Sequence, residues 1–319
     1  MHDSDATDAP AVRFLTVAEE FSGQRLDNFL ITALKGAPRT LVYRIVRTGE
    51  VRVNKGRVKP DYRIQPGDVI RVPPLRVSEE KPAARPTTTL QKLLAGRIVH
   101  DDDNLLVVNK PAGLAVHGGS GISIGLIEAL RALRPEQAAS LELVHRLDRD
   151  TSGLIMVTGH RPLLRALHGQ LRDGDMDKRY VALLTGRLGG SQHRVDAPLL
   201  KVERPTGEAV VRVSRDGKTA ITIFTVLERF KDATLVEAHL LTGRTHQIRV
   251  HAQHLGHPLV GDDKYGRDAD NARFKALGLS RLFLHARALR LTLPSGKKLA
   301  LEAPLDADFE AGLEILRRG

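Results

Sequence analysis

The feature that most constrains the fold is a polar loop enclosed by two apolar runs, in residues 143–157. The loop reads H-R-L-D-R-D-T-S-G, with L-V before it and L-I-M-V after it. Aliphatic runs bounded by turn-forming residues predict a strand, a tight loop and a second strand. A loop of this kind presents Asp148 at the rim of a sheet, between Arg146 and Arg149, whose guanidinium groups favour a negative charge there.

The residues of this loop allow more than one interpretation. A solvated turn, in which Asp150 and Ser152 bond to their own backbone, is the plainest. A kinase catalytic loop also begins H-R, but the chain has no V-A-I-K strand and no D-F-G motif. A glycoside hydrolase is a weaker alternative, because Asp148 and Asp150 would have to act from opposite sides of a sugar.

The nine-residue loop matches, without departure, the catalytic signature of the ribosomal large-subunit pseudouridine synthases, so the chain resembles that family. The resemblance implies that Asp148 is the catalytic carboxylate and that Arg146 fills the space left by a flipped uridine. It also implies that Tyr180, in the K-x-Y segment, stacks on the target uracil. In the segment G-R-T-H-Q-I-R, the family pairs the last arginine, Arg249, with the aspartate; Arg244 is the alternative partner and is otherwise a phosphate contact.

The charge balance favours a polyanionic partner. The 319 residues carry a net charge of +11, and nucleic acid is the first candidate for such a chain. There are no cysteines, which excludes disulfides, thiol nucleophiles and cysteine metal sites and suits a reducing cytoplasm. No apolar run approaches the 18 residues that a membrane span requires.

Most of this charge lies in one short segment, residues 22–76, which has twelve Lys/Arg and four Asp/Glu. Apolar spacing there predicts a helix over residues 26–34 and a second helix beginning at Pro38. A short hairpin over residues 51–58 and a strand over residues 69–72 follow. A scattered basic face is the plain alternative, but this concentration favours contacts with RNA phosphates.

This basic segment, with G-Q-R-L-D-N-F-L and Y-R-I-V-R-T-G-E-V-R-V-N-K, resembles the S4 RNA-binding domain. The family makes its RNA contacts through the second helix and the hairpin that follows. The residues to which we assign this role are Arg39, Arg44, Arg47, Lys55 and Arg57. Because the segment has few aromatic residues, contact with the RNA backbone is expected rather than base stacking.

The predicted fold class is α+β, with four segments. Residues 1–21 form a disordered N-terminus and lead-in, residues 22–77 an S4-like αα-hairpin/β domain, and residues 78–96 a proline-spaced linker. Residues 97–319 form a pseudouridine synthase domain, expected to have a mixed, largely antiparallel sheet flanked by helices.

The predicted activity is isomerisation of specific uridines in 23S ribosomal RNA or a large-subunit precursor, by a cytoplasmic monomer. The family reaction needs no cofactor and no metal. Four histidines at positions 246, 251, 254 and 257 invite a metal interpretation, but their spacing matches no zinc motif and no acidic ligand lies between them. The closest alternative is a non-catalytic ribosome assembly factor that binds the same RNA. The C branch of the family is the nearest resemblance.

Overall fold

The computed structural model describes residues 11–34, 37–75, 86–102, 104–118, 124–203 and 209–318, apart from the side chain of Arg39. The chain divides into two compact units, residues 1–83 and 84–319. The acidic N-terminus predicted to be disordered, residues 1–10, lies outside the described residues, as does most of the predicted linker, residues 76–85. The four domain boundaries stay predictions.

The first unit packs two helices against a three-stranded antiparallel sheet. Its elements are β1 (Arg13–Thr16), α1 (Leu26–Ala33), α2 (Arg39–Arg47), β2 (Arg52–Val53) and β3 (Val69–Val72), and the strand order is β1-β3-β2. Apolar spacing along α1 and α2 buries Leu26, Leu30 and Ile45 in one core with Ile70 of β3. That burial is the main force that holds so small a unit together.

Two features of this unit differ from the sequence predictions. Residues 13–16, within the predicted lead-in, form strand β1 because a short extended segment can complete the ladder of β3. In the predicted hairpin over residues 51–58, the second strand is absent, and β2 pairs with β3 instead. The reason is the turn itself, in which Asn54 and Lys55 adopt positive φ and Asn54 exchanges hydrogen bonds with Val69.

The second unit is built on a ten-stranded sheet with helices against it. Its elements are α3 (Thr88–Ala95), β4 (Ile98–Asp101), β5 (Leu106–Lys110), α4 (Leu126–Leu133), β6 (Glu142–Leu143), β7 (Ser152–Thr158), α5 (Arg161–Asp173), β8 (Asp177–Thr185), β9 (Gln192–Asp196), β10 (Leu199–Glu203), β11 (Ala209–Val213), β12 (Ile221–Arg229), β13 (Ala233–Leu240), α6 (Gln247–His254), α7 (Asp268–Ala276), β14 (Leu284–Thr292), β15 (Lys298–Glu302) and α8 (Ala307–Arg318). The predicted mixed, largely antiparallel α+β architecture is confirmed.

The strand order of the large sheet is β4-β5-β7-β14-β8-β13-β12-β9, with β15 paired to β14 and β6 paired to β7. Its parallel pair is β7 with β14; the other described pairs are antiparallel. Strand β7 is buried along its whole length, which is typical of a strand covered on both faces. Strands β10 and β11 form a separate two-stranded sheet.

Helix α3 lies within residues 78–96, the range predicted as a linker. The side chain of Thr87 caps its first turn by accepting a hydrogen bond from the Leu90 backbone, and Leu94 is fully buried in the core of the second unit. The proline spacing therefore stops at Pro86, where a capped and apolar helix begins. No helix in the described ranges is long and apolar enough to cross a membrane.

Candidate active site

Asp148 lies in the loop between β6 and β7, where it lines a cleft of about 610 Å³. Its side chain is 31% exposed, so the carboxylate can be reached by a ligand. Gly153, at the end of the loop, has φ of 108°, and a Cβ there would lie 2.3 Å from the carbonyl oxygen of Ala286. The glycine therefore lets β7 approach β14 closely and fixes the position at which the loop leaves the sheet.

The guanidinium group of Arg249, on α6, joins two carboxylates. Its Nη1 donates to Oδ2 of Asp148 at 2.9 Å, while Nε and Nη2 donate to the two carboxylate oxygens of Asp262 at 2.8 and 2.7 Å. Burial works against the charged form, but the hydrogen bonds and charges of Asp262 and Asp148 outweigh it and raise the pKa of Arg249. A planar, permanently charged fork of this kind holds its partners in one orientation.

His246, immediately before α6, forms the second contact to the carboxylate. Its Nε2 lies 3.6 Å from Oδ1 of Asp148, and its Nδ1 lies 2.7 Å from the hydroxyl of Tyr265. The backbone of His246 is left-handed, with φ of 54°, a conformation that is uncommon for a side chain other than glycine. Burial lowers the pKa of His246, and the charge of Asp148 opposes that shift.

Tyr180, on β8, lines the same cleft as Asp148 and Arg249. Its pKa is raised, first by burial and then by the negative charge of Asp148. Asp148 and Tyr180 therefore face the same cleft, where both can be reached by one ligand. Its ring contributes an apolar wall beside the ionic groups.

Four further cations line the cleft: Arg146, Arg149, Lys178 and Arg244. The guanidinium of Arg244 donates to the carbonyl oxygen of Thr219 at 3.0 Å, so it is Arg249, and not Arg244, that binds Asp148. Lys178 is held close to Gly243, and its pKa is lowered by burial and then by the charge of Arg244. Neither Lys178 nor Arg244 pairs with a carboxylate in the described part of the chain.

A buried lysine, Lys110, forms hydrogen bonds with backbone carbonyl groups in and near the loop that carries Asp148. Its ammonium donates to the carbonyl oxygens of Pro111 at 3.0 Å, Leu114 at 2.8 Å and Arg149 at 2.9 Å. Burial lowers its pKa to about 7. The third bond ties the strand β5 directly to the residue after Asp148.

The second carboxylate of the loop, that of Asp150, does not face the cleft. Asp150 pairs with Arg149 at 3.1 Å and does not line the cleft. It therefore does not face Asp148 across a space for a sugar, which removes the glycosidase interpretation.

The histidines that raised a metal interpretation have other partners. His251 is buried between the hydroxyl of Thr222 and the carbonyl oxygen of Ala197, and His257 contacts the carbonyl oxygen of Thr185. Within the described ranges, no three His, Cys, Asp or Glu side chains are grouped as metal ligands would be.

In the first unit, four of the five predicted RNA contacts are exposed. Arg44 and Arg47 lie in the last turns of α2, and Lys55 and Arg57 lie in the turn after β2. The side chain of Arg39, the fifth, is outside the described residues. Exposed cations on a helix and the adjoining turn are suited to phosphate contact.

Comparison with known proteins identifies the class of protein that this fold and site define. Residues 104–254 match the family model described as RNA pseudouridylate synthase, and residues 24–70 match the S4 domain. The chain belongs to the RNA pseudouridylate synthase family.

Its relatives include proteins named "Ribosomal large subunit pseudouridine synthase C". The protein of this name from Pasteurella multocida is 53% identical over 96% of this chain and 94% of its own length. That from Escherichia coli K12 is 52% identical over 98% of both chains. Among solved structures, human RNA Pseudouridylate Synthase Domain Containing 4 is 31% identical, with a TM-score of 0.60, over 72% of this chain and 96% of its own.

The sequence analysis assigned no role to several residues of this site. Nothing in the sequence patterns singled out Asp262, Tyr265 or Lys110, and His246 was considered only as a possible metal ligand. The signal available for Asp262 was a pair of aspartates after a glycine, and nothing in the spacing says which one is buried. Long-range packing decides that choice.

Proposed function

We propose that this protein converts specific uridines of large-subunit ribosomal RNA to pseudouridine, with Asp148 as the catalytic carboxylate. One observation carries the proposal: an accessible carboxylate shares a cleft with Tyr180 and is held by Arg249, itself fixed by Asp262. The reaction breaks the N1–C1′ bond of uridine, rotates the uracil and joins C5 to C1′. It is an isomerisation, so no electrons leave the substrate and no second reactant is consumed.

The ionised carboxylate supplies the reactive group. It can attack C1′, add to C6 of the uracil or remove the C2′ proton, and each route requires a carboxylate that is deprotonated and directed at the nucleotide. Arg249 provides both conditions, because a charged hydrogen bond in a partly buried site is stronger than an exposed one. Since Asp262 accepts hydrogen bonds from Nε and Nη2 of Arg249, the guanidinium is held against rotation.

Entry of the uridine requires that it leave its base stack, at a cost of a few kcal/mol. Arg146 is exposed at the rim of the cleft, two residues before Asp148, and would occupy the vacated space. The ring of Tyr180 would pack against the uracil and offset part of this cost.

Lys178 and Arg244 would contact the phosphates on either side of the flipped nucleotide. Both line the cleft and lack a carboxylate partner among the described residues. Burial and then the charge of Arg244 lower the pKa of Lys178, and a bound phosphate would relieve the repulsion between these two cations. The part of the cleft that Lys178 and Arg244 line is therefore suited to an anionic ligand.

The first unit would hold the RNA through Arg44, Arg47, Lys55 and Arg57, together with Arg39. If about five cations neutralise phosphates, the logarithm of RNA affinity falls with the logarithm of salt concentration with a slope near −4. Replacing Arg44 and Arg47 by glutamine should reduce that slope by about 2 units. A slope that did not change would remove α2 from the RNA contact.

The proposal also covers the RNA substrate, the oligomeric state and the cellular compartment of the protein. The bacterial relatives carry the words "Ribosomal large subunit" in their name, which supports 23S RNA or its precursor particle as substrate. The protein would act as a monomer, in the compartment where bacterial ribosomes are assembled, the cytoplasm.

The test compares pseudouridine maps of 23S ribosomal RNA from cells with and without this protein, and from cells that carry Asp148→Asn alone. We expect particular pseudouridines to disappear in the deletion strain and to stay absent with Asp148→Asn. If the Asp148→Asn strain keeps every modification, the protein is an RNA-binding assembly factor instead. Unchanged maps in the deletion strain would exclude 23S RNA as the substrate.

A further inference from the structure

One face of the three-stranded sheet in the first unit carries a row of three large side chains. In the antiparallel register, Phe14 of β1 stands opposite Arg71 of β3, and Arg71 stands opposite Arg52 of β2. Their neighbours Leu15 and Ile70 point to the other face, into the core with the helices. Because side chains alternate along a strand, the row lies on the face turned away from α1 and α2.

The aromatic member of the row is unusually exposed. Phe14 is 66% exposed, the largest value among the big apolar side chains of the described residues, and Val69 on the same face is 41% exposed. The ring of Phe14 makes no contact with another ring or with a cation there. An aromatic ring that stays in water does not stabilise the fold, so the exposed ring of Phe14 indicates a surface that binds a ligand.

The two arginines of the row are also available to a ligand. Arg71 donates from Nη1 to the carbonyl oxygen of Glu50 at 3.0 Å, and Arg52 from Nη1 to that of Lys55 at 3.4 Å. These bonds fix the direction of each side chain and leave its remaining donors unused. Neither arginine pairs with a carboxylate in the part of the chain that the structure describes.

This row extends beyond the recognised S4 module. The S4 match covers residues 24–70, so Phe14 and Arg71 both lie outside it, and only Arg52 lies within. The aromatic residue is supplied by β1, a strand that this chain adds to the edge of the sheet. The RNA contacts expected of the S4 module itself do not account for the exposed Phe14.

We propose that this sheet face binds single-stranded RNA, with a base stacked on Phe14 and phosphates held by Arg52 and Arg71. Aromatic rings beside cations on an open sheet are how unpaired bases are bound without strict sequence preference. RNA is favoured over a protein partner because residues 22–76 carry twelve basic and four acidic side chains. The inference rests on the proposed RNA substrate and adds a second RNA-binding surface to it.

The test uses Phe14→Trp, because the chain contains no tryptophan and the variant has a single indole at the site. Titration with a single-stranded 12-nucleotide RNA should quench the tryptophan fluorescence, because the base stacks on the indole. Inorganic polyphosphate, which has charge but no bases, should not quench it. The matched control is Leu227→Trp, at a strand position that is 52% exposed in the other unit, and it should be unaffected by either ligand.

Affinity measurements on Phe14→Ala and Phe14→Leu separate stacking from general apolar contact. Loss of one stacked base weakens RNA binding by roughly five- to a hundredfold, and we expect both variants to lose it, since leucine has no ring. Circular dichroism should be unchanged, because the side chain is exposed. Unchanged RNA affinity in Phe14→Ala, with no quenching of Phe14→Trp, would overturn the inference and leave a protein as the partner of this face.

These outcomes are distinguishable from failure of the proposed function. If Phe14 proves irrelevant while the wild-type enzyme forms pseudouridine in the same RNA, only the additional surface is excluded. If the wild-type protein neither binds nor modifies 23S ribosomal RNA, the proposed substrate is wrong.

Discussion

All three guanidinium nitrogens of Arg249 donate hydrogen bonds, Nη1 to Asp148 and both Nε and Nη2 to Asp262. The side chain of Asp262 is fully buried and also accepts from the backbone of Lys264 and Tyr265. Asp262 therefore does not meet the substrate but determines where the guanidinium points. We expect any contribution of Asp262 to the reaction to pass through Arg249.

Replacing Asp262 by asparagine should lower kcat by about a hundredfold, because a buried ion pair that loses one partner is disrupted by several kcal/mol. RNA affinity and KM should stay within about twofold of wild type. The matched control is Asp263→Asn, an adjacent exposed aspartate, which should keep wild-type kcat. Equal losses in both variants would mean that Asp262 has no specific role in positioning Arg249.

Tyr180 provides a second prediction at this scale, since the ring and the hydroxyl can be separated. Its hydroxyl makes no hydrogen bond within the described residues, so Tyr180→Phe should keep kcat/KM within about threefold. Tyr180→Leu removes the ring face and should lower kcat/KM by about tenfold or more. A Phe variant as damaged as the Leu variant, in steady-state assays, would assign the role to the hydroxyl.

At the scale of the elements, the register of β7 against β14 determines where the loop that carries Asp148 ends. The two strands pair in parallel only at Ser152 with His285 and at Gly153 with Ala286. Gly153 has no room for a side chain at this point, because the carbonyl of Ala286 is too near. The position of Asp148 therefore depends on a glycine five residues away.

Gly153→Ala should destabilise the second unit by more than about 3 kcal/mol, through positive φ and collision with the β14 backbone together. Gly256→Ala is the matched control: it has φ of 81° and nothing within 4 Å of the new methyl group, so it should cost only about 1 kcal/mol. Urea unfolding of both variants measures the difference. Similar losses would show that β7 can shift away from β14 without penalty.

At this same scale, the sequence predicted helices better than strand pairing. The apolar spacing of α1 and α2 is local, so these two helices followed from the sequence. The pairing of β2 with β3 depends on a partner outside the window that the pattern covers. The cap of α3, from Thr87 to Leu90, is local, and the linker prediction overlooked it. For the candidate site, the family resemblance pointed to Asp148, Tyr180 and Arg249, whereas Asp262 and Lys110 make contacts that only the folded chain brings together.

Across the whole molecule, buried histidines make stability depend on pH. His285 is fully buried, with its Nδ1 2.8 Å from the hydroxyl of Ser152, and burial lowers its pKa to about 4. In the unfolded chain it would titrate near 6.5. The unfolded state therefore binds the proton first as pH falls, so the stabilisation is complete above pH 6.5 and is lost between about 6.5 and 4.

A shift of this size corresponds to about 3 kcal/mol of unfolding free energy. We expect His285→Gln, which keeps a hydrogen-bonding amide but cannot titrate, to lose that much less stability than wild type between pH 7 and pH 4.5. His254→Gln, at an exposed position, should follow the wild-type curve. Parallel curves for wild type and His285→Gln would contradict a neutral, buried His285.

The most direct measurement is single-turnover release of tritium from RNA containing 5-³H-uridine, made with Asp148→Asn and with Asp150→Asn. Asparagine keeps the size of Asp148 but removes its charge, so the first variant should release no tritium above background while binding RNA like wild type. Asp150→Asn alters the neighbouring carboxylate, which does not line the cleft although its partner Arg149 does, and should react at nearly the wild-type rate. Turnover by Asp148→Asn at the wild-type rate would contradict the assignment of Asp148 as the catalytic carboxylate.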